Sequence, residues 1–487
     1  MKRLLTIVTL LTSLMLVVSC NNNNDSLPYI TVASTHSCSY DKQTVEISYR
    51  LAGESATVTA SSNANWITNI NVADSKVKID IEANEGAKRT ATVTLTAPGY
   101  RATTVRVTQI APPTHTSQTL MFYFFGTSLN RYFKGNIDDA KAAIRTGILG
   151  TENRVIYLMQ DGKYSARICE ICYDPTNKEC VEREIETITV NVEQLTPEEI
   201  AHNIDKMAAY APADRYGLVL AGHGQGWITR EVLNGSPLSV LSTTGGVWQQ
   251  AIGAEVTRAL GENNVMMQTY ELAEGIEGAS IDFDYILFDA CFMANIETIY
   301  DMRNTANYII ASPCEIMGRG FPYHRTLPHL FKDNGTVTDY VGAAESYYKF
   351  YDSEYMGNSR CGSITVFDCR EVEALANATA EVVKSAKSEY DKESLQTYEG
   401  QSEHQFYDFG QWANVVATDE EALARFNTQL DACIVETFTL DTFYSAYGNY
   451  GTYPIDTDVY TGVTTSAPST YAPGPWKQTS WYKAVWK

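Results

Sequence analysis

The sequence predicts two domains, a small all-β sandwich followed by a larger α/β domain built on a mainly parallel sheet. Before about residue 111, short segments alternate apolar and polar residues, which is typical of strands with one buried face. Beyond residue 118, continuous apolar runs alternate with helical stretches, which is typical of a parallel sheet covered on both faces. The length of 487 residues accommodates two or three domains.

The amino terminus predicts export. Residues 1–19 have the basic start and long apolar run of a secretory signal. Their junction with Cys20 resembles a bacterial lipobox, in which the signal is cut before the cysteine and the thiol is lipidated; the alternative is an ordinary cleaved signal. Residues 20–29 then form a polar tether. We therefore expect an exported lipoprotein at the cell envelope or outer surface, bound to the membrane only through lipid.

The composition excludes some partners. The 58 acidic and 37 basic residues give a net charge of −21, and no cationic run offers a surface for nucleic acid. Hydrophobic residues make up 44% of the chain, so most of it can bury a core and is not disordered.

Residues 30–111 form the predicted sandwich. The segments NANWI at 63–67 and VRVTQ at 105–109 resemble parts of a BACON module, a domain found ahead of secreted bacterial enzymes. The resemblance implies a glycan or mucin contact, and the alternative is a rigid spacer between lipid and enzyme. The proline-containing stretch 112–118 is a predicted linker.

Two candidate catalytic residues follow buried strands in the α/β domain, residues 119–487. His223 comes after YGLVLAG and Cys291 after YILFDA, and chemistry collects at the carboxyl ends of strands in such sheets. A thiolate is a strong nucleophile, and a position before a helix start would stabilise it. The glycines around His223 leave room for an imidazole to reach a substrate and for a backbone N–H to approach a carbonyl.

These motifs resemble those of a known family. The segments LAGHG at 220–224 and FDACFM at 288–293 are similar to the His-Gly and Asp-Ala-Cys signatures of the clostripain-like cysteine peptidases, relatives of gingipains, legumains and caspases. The resemblance implies a caspase-hemoglobinase α/β sandwich, with Cys291 as nucleophile and His223 as acid/base. It also implies an oxyanion hole formed by the N–H groups of Gly224 and Cys291.

The resemblance also implies cleavage after Arg or Lys. Asp289 would share a strand face with Cys291 and is our first choice for the acid that binds this cation; the alternative is a structural carboxylate. The segment 311–320 corresponds to a family pocket loop that commonly carries a further acid near its end. Arg319 stands there instead, which puts strict Arg specificity in doubt and leaves Glu315 as a substitute acid.

Metal and cofactor signals are weak. Cys169, Cys172 and Cys180 lack a nearby fourth ligand for zinc, so no metal or cofactor is predicted, although some relatives require calcium. Export permits disulfides, with Cys172–Cys180 and Cys361–Cys369 as candidate pairs.

The leading prediction is a surface-anchored cysteine endopeptidase acting on protein or peptide. The alternatives are a glycan- or protein-binding lipoprotein with an inactive peptidase-like domain, and a cysteine-dependent transpeptidase or amidase, which would share the acyl-enzyme. If the chain cleaves itself between its two motifs, we expect the cut after Arg230 rather than after Arg258, which lies in a helical pattern.

Overall fold

The computed structural model describes residues 27–53, 55–112, 114–174, 176–190, 195–229, 267–331, 338–355, 360–401, 403–446 and 450–486. The chain divides into two compact units between Thr114 and His115, within the predicted linker. No helix in the described part of the chain is long and apolar enough to span a membrane.

The amino-terminal unit consists of two four-stranded sheets that share one apolar core. Its strands are β1 Ile30–Val32, β2 Thr35–Cys38, β3 Gln43–Leu51, β4 Thr59–Ser62, β5 Ile67–Ala73, β6 Lys76–Ile81, β7 Arg89–Thr96 and β8 Thr103–Gln109. The strand orders are β1-β3-β6-β5 and β2-β8-β7-β4. Alternate residues of β6 and β7 are fully buried, as their period-two pattern predicts. The predicted all-β sandwich is confirmed.

The second unit is organised around a nine-stranded mixed sheet. Its strands are β9 Thr116–Phe124, β10 Asn153–Gly162, β11 Ser165–Asp174, β12 Glu179–Thr189, β13 Ala213–Ala221, β14 Phe283–Asp289, β15 Ala306–Ala311, β16 Ile364–Asp368 and β18 Ile434–Phe438. The order is β12-β11-β10-β9-β13-β14-β15-β16-β18, with parallel pairing from β10 to β15 and antiparallel pairing outside it. Two small ribbons pair β17 Tyr407–Asp408 with β21 Thr464–Thr465 and β19 Thr442–Ser445 with β20 Gly451–Pro454.

Helices cover both faces of this sheet, over two separate apolar cores. They are α1 Asn130–Ile144, α2 Pro197–Tyr210, α3 Thr269–Glu277, α4 Ile296–Met302, α5 Tyr323–Leu330, α6 Tyr340–Ser353, α7 Val372–Lys384, α8 Phe409–Val416, α9 Glu420–Cys433, α10 Pro473–Trp476 and α11 Ser480–Val485. Helix α2 begins at Pro197 because Thr196 and Glu199 form a capping box ahead of it. The helical pattern that contains Arg258 lies outside the described residues, as does Arg230.

Candidate active site

The two motif loops leave neighbouring parallel strands at the same edge of the sheet. Strand β13 pairs with β14 in a register that places Ala221 opposite Asp289. The N–H of Gly222 continues this pairing by donating to the carbonyl of Asp289 at 3.3 Å. His223 and Cys291 therefore each lie two residues beyond this last pair, on two neighbouring segments of the chain.

Gly224 brings the two loops into backbone contact. A Cβ built on Gly224 would lie 2.4 Å from the carbonyl oxygen of Cys291 and 2.9 Å from its nitrogen. No side chain fits this space, so the close approach depends on glycine. The N–H groups predicted to form the oxyanion hole belong to these two touching residues.

The sulfur of Cys291 is covered. Its side chain is 0% exposed and packs with the core on the α1 side of the sheet. The N–H of Ile316 donates to Sγ at 2.9 Å, and the carbonyl of Ile316 lies 3.5 Å from Sγ. Helix α4 begins only at Ile296, with Asn295 as its cap, so the expected helix start does not directly follow Cys291. The donor at the sulfur is instead a loop N–H.

Phe292, directly after the nucleophile candidate, has an unusual backbone. Its φ of +61° lies in the left-handed region, which bulky residues rarely adopt. Its N–H donates to the carbonyl of Cys314 at 3.0 Å, and the N–H of Ala294 donates to that of Ser312 at 2.9 Å. These two hydrogen bonds join the segment that carries Cys291 to the segment 312–316, whose Ile316 covers the sulfur.

His223 has the opposite surroundings. Its side chain is partly exposed, and its Nε2 lies 3.0 Å from the hydroxyl of Ser128. It borders an apolar cleft whose walls belong to the core on the other face of the sheet. The cleft lining includes Leu220, Leu272, Phe288, Ala290 and Met293.

Asp289 is the last residue of β14, two positions before Cys291, and is also 0% exposed. Its Oδ2 accepts hydrogen bonds from the hydroxyl of Tyr323 at 2.7 Å and the N–H of Phe321 at 3.3 Å. It shares the face of β14 that Cys291 continues, as expected. Its role in substrate binding stays a prediction.

The two residues of the pocket loop have partners of their own. Arg319 pairs with Asp139 at 2.6 Å, so its positive charge is compensated. The carboxylate of Glu315 is buried and accepts hydrogen bonds from the Ser445 hydroxyl at 2.6 Å and the Ala446 N–H at 3.2 Å. In this structure Glu315 therefore ties the loop to residues 445–446, and its role as a substitute acid stays a prediction.

No disulfide joins any of the nine described cysteines. Neither candidate pair, Cys172–Cys180 or Cys361–Cys369, is bonded in this structure. Burial raises the pKa of Cys314 and Cys369 well above the ordinary range and that of Cys433 to about 12. Within the described residues, no group of three or more His, Cys, Asp or Glu side chains is placed to hold a metal ion.

Sequence reasoning missed three residues of the site. Ile316 binds the sulfur through its backbone, Ser128 contacts the imidazole, and Phe406 packs on Phe292. None of them carries a signal in the sequence. Almost any residue can supply a backbone N–H such as that of Ile316. Phe406 lies far along the chain from Phe292.

A cysteine loop and a histidine loop thus follow adjacent parallel strands in a sheet covered by helices, which is the arrangement of a caspase-like α/β fold. The model of the Clostripain family, peptidase family C11, matches residues 176–423, just over half of the chain. The chain belongs to this family. The predicted fold class and the predicted enzyme class are confirmed.

Solved structures agree with this assignment. A secreted C11 cysteine protease from Bacteroides thetaiotaomicron, iotapain, is 28% identical at a TM-score of 0.65, over 77% of this chain and 100% of the other. An inactive zymogen C11 protease from Parabacteroides distasonis is 26% identical at a TM-score of 0.62, over 77% and 99%. A secreted C11 protease from B. thetaiotaomicron in complex with an irreversible peptide inhibitor has the same fold, at 24% identity and a TM-score of 0.62 over 76% and 100%. No curated protein matches this chain.

Proposed function

We propose that this cysteine peptidase is an exported endopeptidase in which Cys291 is the nucleophile and His223 the general acid and base. The observation that carries the proposal is the backbone contact between Gly224 and Cys291. It holds the two motif loops together at one edge of the sheet, where a substrate carbonyl could reach both.

The reaction follows from these groups. The sulfur of Cys291 attacks the peptide carbonyl carbon as its proton passes to the imidazole of His223. The N–H groups of Gly224 and Cys291 bind the resulting oxyanion. The C–N bond then breaks and the imidazole returns the proton to the departing amine, leaving a thioester. Water attacks the thioester with His223 as base, which releases the acid and restores the thiol.

A substrate needs access to the sulfur. Because Cys291 is fully covered and bound by the backbone of Ile316, the segment 314–316 must move before attack.

We further propose a preference for a basic residue before the cut, with Asp289 as its partner. The carboxylate lies on the strand face that Cys291 continues, and the hydroxyl of Tyr323 and the N–H of Phe321 donate to its Oδ2 and hold it in position for a cation. Arg319 need not oppose this, since Asp139 compensates its charge.

The proposed location is the cell envelope, with lipid on Cys20. The relatives described as secreted support export, and the lipobox-like junction supports lipidation. Cys20→Ser should release the protein from the membrane fraction, because the variant lacks the thiol that would carry the lipid. Unchanged membrane partitioning of this variant, measured by detergent phase separation, would reject the anchor. The glycan contact of the amino-terminal unit and a calcium requirement stay predictions.

Profiling a mixed peptide library with the mature protein tests the nucleophile. We expect internal cleavage by the wild type and none by Cys291→Ala. His223→Ala should lose about 10² to 10⁴-fold in kcat/KM because proton transfer is lost. Cys433→Ala is the matched control, since it removes a buried thiol whose high pKa keeps it protonated at neutral pH.

Three outcomes would contradict the proposal. Full activity of Cys291→Ala would exclude this thiol as nucleophile. Equal loss in Cys433→Ala would indicate a general effect of removing thiols. Products that carry an added amine instead of water would indicate a transpeptidase.

A further inference from the structure

The residue after the nucleophile is held in a conformation that its side chain does not favour. Phe292 has φ of +61°, and a left-handed backbone at a bulky residue persists only where the surroundings enforce it. The position matters because the peptide plane between residues 291 and 292 sets where the Cys291 carbonyl and the start of the next turn lie.

The ring of Phe292 is fixed by stacking. It lies parallel to the ring of Phe406, with centroids 4.5 Å apart and an interplanar angle of 8°. Both side chains are fully buried. Stacked aromatic pairs add stabilisation beyond the area they bury, so this contact favours the left-handed conformer over alternatives that would turn the ring away.

Phe406 is itself held by buried hydrogen bonds. Its N–H donates to the carboxylate of Glu399 at 3.2 Å, and its carbonyl accepts from the N–H of Tyr398 at 3.0 Å. Glu399 is 1% exposed. The ring therefore projects from a rigid segment and can act as a stop for Phe292.

The histidine loop closes on the same pair of rings. Gly226 has φ of +59°, and a Cβ built on it would lie 2.8 Å from Cε1 of Phe406 and 3.1 Å from the carbonyl oxygen of Phe292. The next residue, Trp227, donates from Nε1 to the hydroxyl of Ser466 at 2.7 Å, which in turn donates to the carbonyl of Gln405 at 2.9 Å. Both catalytic loops thus rest on the segment that presents Phe406.

We propose that Phe406 is a positioning residue for catalysis, which holds Phe292 left-handed and thereby fixes Cys291 against Gly224. The proposal rests on the proposed function of Cys291 and His223. Phe406 touches no reacting atom in this scheme, and its effect passes through the backbone of Phe292.

The decisive test is a rescue. Phe406→Ala should lower kcat by about 10²-fold with a smaller change in KM, because misplacement of a reacting group by about 1 Å costs that much. Adding Phe292→Gly to Phe406→Ala should restore kcat by about tenfold or more, since glycine adopts the left-handed conformation without the ring. A residue that only contributes core packing would not be rescued by removing a second ring beside it.

A second pair keeps the test sharp if Phe406→Ala does not fold. Phe292→Ala and Phe292→Gly both delete the stacked ring, but only glycine tolerates φ of +61°. Phe292→Gly should therefore keep a kcat about tenfold above that of Phe292→Ala. Phe426→Ala is the packing control, because Phe426 is equally buried and packs on Phe409.

Each outcome decides the proposal. Wild-type kcat in Phe406→Ala, no rescue by Phe292→Gly at equal folded fraction, or equal kcat in Phe292→Ala and Phe292→Gly would overturn it. Loss of kcat in Phe426→Ala as large as in Phe406→Ala would also overturn it. An active Cys291→Ala protein would instead refute the nucleophile, which separates failure of the proposed function from failure of the positioning role.

Discussion

The histidine loop and the cysteine loop leave adjacent strands, yet they are built in opposite ways. The histidine loop, residues 222–226, is rich in glycine and presents a partly exposed imidazole at an apolar cleft. The cysteine loop, residues 290–294, carries larger side chains and is buried throughout. The proposed proton acceptor, His223, is therefore accessible while the proposed nucleophile, Cys291, is covered. In the proposed mechanism, the movement that admits substrate occurs on the cysteine side.

The two loops also differ in the residues that allow their backbones to fit: glycines in the histidine loop and a left-handed phenylalanine in the cysteine loop. A Cβ at Gly222, Gly224 or Gly226 would lie 3.0, 2.4 or 2.8 Å from a neighbouring atom, closer than van der Waals contact, so only glycine fits at these three positions of the histidine loop. At Phe292 the cysteine loop has a left-handed backbone that glycine would adopt easily. The ring of Phe292 stacks on Phe406, which can hold the residue in this conformation.

Gly224→Ala would break the contact between the two loops and should have the largest effect among these predictions. The added methyl group would collide with the backbone of Cys291, so the loops must separate. We expect a loss of about 10² to 10³-fold in kcat, the range for losing an oxyanion donor. Steady-state kinetics on a cleaved library peptide measure this.

Gly474→Ala is its control, because a Cβ there would meet nothing within 4 Å. Equal kcat for Gly224→Ala and the wild type would show that the two loops need not touch for catalysis. It would remove the observation on which the proposed oxyanion hole rests.

Asp289→Asn sharpens the comparison on the cysteine side. It keeps the shape of the side chain and removes the charge, so cleavage after a basic residue should fall about 10 to 100-fold more than cleavage after a neutral one. A matched pair of peptides that differ only at that residue measures the ratio.

Tyr323→Phe is the control for Asp289→Asn. It removes a neutral donor to the same carboxylate and leaves the charge, so both peptides should be affected equally. Equal losses on both peptides in Asp289→Asn would instead assign that residue a structural role.

The sequence predicted those parts of the molecule that depend on local patterns. The central strands β9, β10, β13, β14 and β15 are continuous apolar runs because they are buried on both faces, and such runs are visible in one dimension. The dyad candidates followed because His223 and Cys291 each come directly after such a run. The hairpin of β11 and β12 was missed, since β12 carries mostly charged or exposed residues and has no apolar run.

Contacts between distant segments could not be predicted in this way. The stacking of Phe406 on Phe292 and the pairing of Arg319 with Asp139 join residues that no pattern links. The cover over Cys291 is a backbone N–H, which every residue but proline possesses. From the sequence, the positive charge of Arg319 argues against a basic substrate, because its ion pair with Asp139 is not visible there.

The smallest predicted effect concerns pH and the support behind Phe406. His404 Nδ1 lies 3.5 Å from Oε1 of Glu399, the carboxylate that binds the N–H of Phe406. The carboxylate of Glu399 raises the pKa of His404 above 6.5, against the effect of burial, with smaller contributions from Glu393 and Glu403. A raised pKa in the folded state means that protonation stabilises the fold. This contribution is complete below about pH 6.5 and is lost as the pH rises through the folded pKa.

His404→Gln should therefore lower Tm more in acid than in base. We expect the difference from wild type to shrink by about 1 to 2 °C between about pH 5.5 and 8.5, measured by calorimetry. His115→Gln is the matched control, because His115 is exposed and its Nδ1 lies 3.8 Å from the carboxylate of Asp214. A constant Tm difference at both pH values would show that the Glu399 pair does not stabilise the segment behind the cysteine loop. A difference that shrinks with rising pH would show that the His404–Glu399 pair stabilises the segment behind the cysteine loop. The N–H of Phe406 donates to the same Glu399 carboxylate.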